Sequence, residues 1–390
     1  CSQPQPESVT AARPAAQIPA NRRRNVSVRF IVKDTAEKFS DYIGVEEEEE
    51  ELGDGFFAPR TEPLPEVMTF ERPFDAESLR LDKFLATEIP QVSRARIQSW
   101  IEAGAVEVNG AKAESAKEKT AAGDTVVVHP QPLPEESAFE PEDGIDFETV
   151  YEDHDIIVIN KPAGLVVHPA AGHWTGTLLN GLLFRWPELK KLPRAGIVHR
   201  LDRLTSGLMV VAKTEAAQTS LVRQLQDHSV AREYWAIVAG VAPEAGFVDR
   251  AIGRDPRNPQ KFVCRGGAGS RPAKTHCRLV DMTRIAGRAV SWVACRLETG
   301  RTHQIRVHLS TVGLPLLGDP VYKTAASVLP EAAGLAAHFP RQALHASRLR
   351  LVHPASNEVM EWFAPAPEDM AELMDLLDFG PTDEPVHVYD

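Results

Sequence analysis

The chain reads as an α+β protein with two folded units, a small one over residues 79–130 and a larger one over 146–355. Two observations predict this. Short β-type runs recur in the larger unit at 207–212, 234–238, 289–296 and 305–309, separated by Gly and Pro turns and by helices such as 215–227. That pattern implies a large, mostly antiparallel sheet with flanking helices. The smaller unit shows helical spacing first and β patterning after it, as a compact α/β module would.

In chain order, residues 1–75 are rich in Pro, Gln, Ala and Glu, and hold an acidic run from Glu46 to Glu51. Such a segment buries too little apolar surface to offset chain entropy, so an acidic extension without stable order is expected. Alternation over 26–32 allows one short strand within it. From 79, Leu79, Leu81, Phe84 and Leu85 recur at helical spacing, and Ser93 is placed to cap a second helix that runs through Ile101 and stops at Gly104. Val106–Val108 then reads as a strand, Asn109-Gly110 as its turn, and Thr125–Val128 as the returning strand. A linker rich in Pro and Glu covers 131–145, and the larger unit opens on the apolar strand 156–161. An acidic tail fills 356–390, with a weak helical stripe at Met370, Leu373, Met374 and Leu377.

The net charge of −12 resolves into acidic ends and a basic middle. Residues 1–78 carry 9 basic and 16 acidic side chains, and 356–390 carry 10 acidic and no basic ones, which leaves +5 for 79–355. A mildly basic body with local Arg and Lys clusters suits a phosphate-bearing partner. No apolar run approaches the roughly 18 residues that span a bilayer, so no membrane segment is expected. Cys1, Cys264, Cys277 and Cys295 form no C-x-x-C pair, which suits a reducing cytosol and argues against a zinc finger. A start at Cys1 is read as the edge of a fragment rather than as a lipid-bearing cysteine.

The most informative run is Gly196 to Lys213, where Asp202 stands among Arg200 and Arg203 before Thr205-Ser206-Gly207 turns into an apolar strand. A carboxylate held in such a turn suits attack on an electrophilic carbon, or stabilisation of a developing cation, beside a polyanion. The plain alternative is a capped turn with solvated charges.

His199-Arg200-Leu201-Asp202-x-x-Thr205-Ser206-Gly207 resembles the signature of RluA-type pseudouridine synthases. Lys161 to Pro169 before it, Arg232 to Val238 after it, and Leu297 to Leu309 running on to Gly318–Tyr322 resemble the family's further segments in order. The unit over 79–130 resembles the S4 RNA-binding domain through its Leu-Asp-Lys-Phe-Leu, Ser-Arg-x-x-Ile-x-x-Trp-Ile and Gly-x-Val-x-Val-Asn-Gly segments. These resemblances imply an isomerase that converts uridine to pseudouridine in structured RNA, with 23S-type ribosomal RNA or its precursor particle as partner. They also imply a cytoplasmic monomer with no cofactor and no metal.

Residue by residue, the resemblance implies that Asp202 is the nucleophile and that Tyr234 stacks on the flipped base and can shuttle the C5 proton. It implies that Arg306 pairs with Asp202, favouring the ionised carboxylate and fixing its rotamer. Arg301 competes for that role, and strand alternation over 305–309 together with the family's pattern favours Arg306. Arg200 is expected to fill the space left by the extruded uridine, and Leu316 to wall the base pocket. Arg80, Lys83, Arg94, Arg96 and Lys112 are expected phosphate or groove contacts. Attack at C6, attack at C1′ and a glycal route all remain open.

Competing readings fail on particular residues. His303 and His308 lack zincin spacing, and Gly266–Gly269 lacks the strand-to-helix context of a dinucleotide loop. His168, His199, His345 and His353 read as fold histidines. A glycosidase would need two opposed carboxylates, and only Asp202 is placed by a motif. A non-catalytic RNA-binding or ribosome-assembly factor is disfavoured by the intact trio of Asp202, Tyr234 and Arg306.

Overall fold

The computed structural model describes residues 30–33, 64–131, 138–170 and 173–380. The small unit holds two helices, α1 (Leu81–Glu88) and α2 (Arg94–Glu102), and Ser93 caps α2 by accepting from the Arg96 amide. Asn109 and Gly110 both take positive φ, at 52° and 79°, as a two-residue hairpin turn requires. The strands Met68–Glu71, Thr125–Val128, Val106–Val108 and Ala111–Lys112 pair in that order. The helices bury Leu81, Phe84, Leu85, Ile97, Trp100 and Ile101 against this sheet. Met68–Glu71 was expected in an unordered extension. It is instead a strand of this sheet, held by full pairing with Thr125–Val128.

The larger unit is built on a ten-stranded sheet. Its strands are β1 (Phe30–Lys33), β2 (Glu148–Glu152), β3 (Ile156–Lys161), β4 (Ser206–Ala212), β5 (Ala231–Ala239), β6 (Ala245–Asp249), β7 (Lys274–Ile285), β8 (Arg288–Leu297), β9 (Leu344–Val352) and β10 (Val359–Phe363). The order is β1-β6-β7-β8-β5-β9-β4-β3-β2, with β10 also on β9. Among the described residues, β1–β6 and β4–β9 are the parallel pairs of this sheet and the others are antiparallel. β1 falls on the alternation seen over 26–32, and the remainder of 1–63 lies outside the described residues.

β4 and β5 are buried along their whole length, so both faces of the sheet are covered. On one face α3 (Leu178–Arg185) packs with Met209, Val211, Tyr234 and Ala236. The other face takes α4 (Glu215–Gln226) against Leu208 and Val210, and buries Trp235 edge-on to Trp292 at 5.2 Å. Strand alternation thus sends Tyr234 and Trp235 to opposite faces.

Three expectations change. The run 305–309 is helical, within α5 (Gln304–Thr311), which His303 enters at φ 57°. All six residues from Gln304 to Leu309 are buried, so an apolar residue at every second position reflects burial all round rather than a strand. Residues 138–145, expected as linker, pack on the body, where Asn180 donates to the carbonyls of Ala138 and Glu140 at 3.1 and 2.8 Å. Over 356–380 the tail is structured too. After the short α6 (Leu335–His338), β10 pairs with β9, and α7 (Glu368–Leu376) buries Met370, Leu373 and Met374. Burial of each such side chain contributes roughly 1.5–3 kcal/mol toward seating the helix. Residues 381–390 lie outside the described residues.

Candidate active site

Asp202 sits in the turn that feeds β4, and the local sequence explains why the turn is there. A Cβ on Gly207, at φ 117°, would lie 2.2 Å from the Ala346 carbonyl oxygen, so only glycine lets β4 meet β9. Ser206 Oγ and His345 Nδ1 lie 2.9 Å apart beside it, locking the start of the strand. The preceding turn closes as the Thr205 amide donates to the Asp202 carbonyl at 3.0 Å.

The Asp202 side chain, 19 % exposed, opens into a cleft of about 420 Å³ whose lining includes Arg200, Tyr234, Arg301, Ile305 and Leu344. Arg306 Nη1 donates to Asp202 Oδ2 at 2.9 Å. The other side of the same guanidinium grips Asp319, with Nε to Oδ2 at 2.8 Å and Nη2 to Oδ1 at 3.1 Å. Burial works against the Arg306 charge, yet Asp319 and Asp202 together raise its pKa above the usual guanidinium range. Burial likewise pushes the Asp319 carboxyl up, but Arg306 and the Val321 and Tyr322 amides outweigh it and hold the group below the ordinary carboxylate range.

His303 Nε2 approaches Asp202 Oδ1 at 4.0 Å while its Nδ1 lies 2.7 Å from the Tyr322 hydroxyl. Burial lowers the His303 pKa, which keeps the ring neutral near pH 7, and raises the Tyr322 phenol to about 12. Tyr234 is buried at the cleft wall, and burial raises its phenol as well. Beneath the turn, fully buried Lys161 donates from Nζ to the carbonyls of Pro162, Leu165 and Arg203 at 2.8, 2.9 and 3.2 Å. Desolvation pulls this amine down to about 7.

Asp202, Tyr234, Arg306, Arg200 and Arg301 therefore share one cleft. Arg306 does reach Asp202, although by projecting from a helix and not by strand alternation. Leu316 does not line the cleft. It is buried in the core and bridges to Val238, and the apolar wall comes from Ile305 and Leu344 instead. In the small unit, Arg80 and Arg94 both bind the buried Asp82, at 2.8 and 2.7 Å, with their side chains 34 % and 43 % exposed. Burial raises the Asp82 carboxyl, but hydrogen bonds from Arg80, Arg94 and Gln98 outweigh it and hold the group at about 2. Arg96 lies over the Trp100 ring at 5.2 Å, and Lys83 and Lys112 are exposed.

Sequence reasoning gave no role to Lys161, His303, Asp319 or Tyr322, although all four lie inside its motif segments. Motif membership was the available signal. What each side chain touches was not in it.

A model of the RNA pseudouridylate synthase family matches residues 155–311, and an S4 domain model matches 79–126. The ribosomal large subunit pseudouridine synthase D of Neisseria meningitidis serogroup B is 49% identical over 310 residues, covering 78% of this chain and 80% of its own. The chain belongs to the RNA pseudouridine synthase family. The enzyme of the same name from Escherichia coli K12 is 47% identical over 303 residues, covering 76% of this chain and 90% of its own. Among solved structures, human RNA pseudouridylate synthase domain containing 4 aligns at 25% identity with a TM-score of 0.48, over 60% of this chain and 94% of that one. As a pseudouridine synthase with an S4 domain, the protein is an RNA-binding isomerase. The pseudouridylate synthase match includes Asp202, Tyr234 and Arg306 but ends before Asp319 and Arg341.

Proposed function

We propose that this pseudouridine synthase acts on large-subunit ribosomal RNA, with Asp202 as the nucleophile. The observation that carries the reading is the Arg306–Asp202 ion pair of 2.9 Å at a cleft that Tyr234 also lines. The reaction breaks the N1–C1′ bond of uridine and joins C5 to C1′, with the hydrogen lost from C5 balanced by one gained at N1. It needs a positioned carboxylate, a proton acceptor at C5, and a wall that retains the freed ring. In this reading Asp202 is the carboxylate and Arg306 orients it. Tyr234 stacks on the base, and because burial keeps its hydroxyl protonated it serves C5 as a relay, accepting the C5 proton as it passes its own on. Arg200, exposed at the mouth, replaces the extruded uridine, and Arg301 contacts a neighbouring phosphate.

The S4 unit supplies sequence-blind affinity through Arg80, Lys83, Arg94, Arg96 and Lys112. The names of the relatives support the ribosomal substrate class. With that target we also propose a cytoplasmic location, and separately that the enzyme works as a monomer.

Mapping pseudouridine across total RNA from cells with and without the gene tests the reading. One or more large-subunit sites should vanish, and return with the wild-type gene but not with Asp202→Asn, which keeps the shape and loses the nucleophile. An unchanged map with altered ribosome assembly would favour the assembly-factor alternative.

A further inference from the structure

Two buried basic side chains, Lys161 and Arg341, converge on the turn Asp202–Thr205, and Arg341 is anchored to α7. In a four-residue turn the central peptide is the one that type I and type II forms present in opposite orientations. Its carbonyl here, Arg203, accepts from the Gly164 amide at 2.8 Å and from Lys161 Nζ at 3.2 Å. The next peptide unit joins Leu204 to Thr205. Its N–H closes the turn onto the Asp202 carbonyl at 3.0 Å, and its carbonyl accepts from Arg341 Nη1 at 3.2 Å. That unit is gripped at both ends.

Arg341 is 3 % exposed, and its Nη1 also donates to the carbonyls of Gln342 and Leu344 at 3.2 Å each. Its aim is set from behind. Nε and Nη2 bind Asp369 in a fork at 2.6 and 2.8 Å. Asp369 lies in the first turn of α7, where the positive end of the helix favours a carboxylate. Met370, Leu373 and Met374 seat that helix in the core. A two-point fork leaves the guanidinium little rotational freedom, so the two N–H bonds of Nη1 are fixed toward these carbonyls, that of Leu204 among them.

We propose that Arg341 and Asp369 are positioning residues for the isomerisation: through their ion pair, α7 sets the Leu204–Thr205 peptide and, with it, the aim of the Asp202 carboxylate. The inference rests on Asp202 being the nucleophile. Asp369 touches no reacting atom and is 38 % exposed, so its removal leaves the cleft lining in place.

The test uses the full chain, a large-subunit ribosomal RNA transcript, and the variants Asp369→Ala, Asp369→Asn, Asp369→Glu and Asp202→Asn. Single-turnover rate at saturating enzyme, RNA dissociation constant and thermal unfolding are measured for each. Asp369→Ala should slow the chemical step roughly ten- to hundredfold, the scale of a small misplacement of a reacting group, with RNA affinity within about twofold. Asp369→Glu, which restores the charge, should recover part of the rate. An unchanged single-turnover rate in Asp369→Ala, with the wild type active and Asp202→Asn dead, overturns the proposal. So does a rate loss no larger than the loss of folded protein. Should Asp369→Ala fail to fold, Asp369→Asn keeps the shape and one acceptor oxygen and is read by the same two outcomes. Activity retained by Asp202→Asn would refute the nucleophile assignment instead.

Discussion

Asp319 takes two nitrogens of Arg306 and leaves Nη1 as the one that reaches Asp202. Their side chains are 1 % and 5 % exposed, so the pair is held away from water while Asp202, at 19 %, faces the cleft. A guanidinium gripped in this way cannot follow a moving carboxylate. It defines where the carboxylate must be.

Asp319→Ala should therefore act twice. Removing one partner of a buried pair costs roughly 3–5 kcal/mol, and the freed guanidinium can close a fork on Asp202, misdirecting it. Lower chemical denaturation midpoints together with a slower single-turnover rate are expected. A variant with wild-type stability and rate would show that Asp319 neither holds nor aims Arg306.

The two arginines around α5 should separate by rate and by salt. Arg306→Ala removes the hydrogen bond that aims Asp202, so the single-turnover rate at saturating enzyme should fall with RNA affinity little changed. Arg301, whose Nε donates to the Pro272 carbonyl at 3.2 Å on the cleft rim, should on change to Ala mainly weaken RNA binding and flatten its salt dependence. The converse pattern would exchange their roles.

Lys161 gives a stability signature. Desolvation lowers its pKa from 10.5 to about 7 in the fold, with Arg341 lowering it further and Asp202 opposing. Between those values the unfolded chain holds a proton that the folded one lacks, so this group makes stability rise as pH rises through that window. Urea unfolding of the wild type and of Lys161→Met at pH 7 and pH 9.5 reads the effect. The wild type should gain more stability between the two pH values than the variant, and equal gains would count against it.

In the S4 unit, Lys83→Ala and Arg96→Ala should weaken RNA binding and lower its salt slope by about one each, without slowing single-turnover chemistry at saturation. Arg94→Ala should cost stability too, because it strips one of two guanidinium partners from buried Asp82. A collapse of the chemical step in Lys83→Ala would contradict this division of labour.

By itself the sequence determined the two units, the helix capped by Ser93, a helix opening at Glu215 and the Asn109-Gly110 turn, because caps and turns are local properties, while the cleft arginines and tyrosine were legible through the family's motifs. Local patterning went wrong where burial was complete on all sides. Over 305–309 a helix buried all round mimicked a strand, whereas the one-sided stripe at Met370, Leu373, Met374 and Leu377 did become a helix, α7. Only the tertiary structure decided that Arg306 is shared between Asp319 and Asp202, that Leu316 belongs to the core, and that Arg341, held by Asp369, reaches the Leu204 carbonyl. Those contacts join residues 13 to 137 positions apart. Their strength comes from removing charge and carbonyl groups from water together, a condition that exists only once the sheet has closed around them.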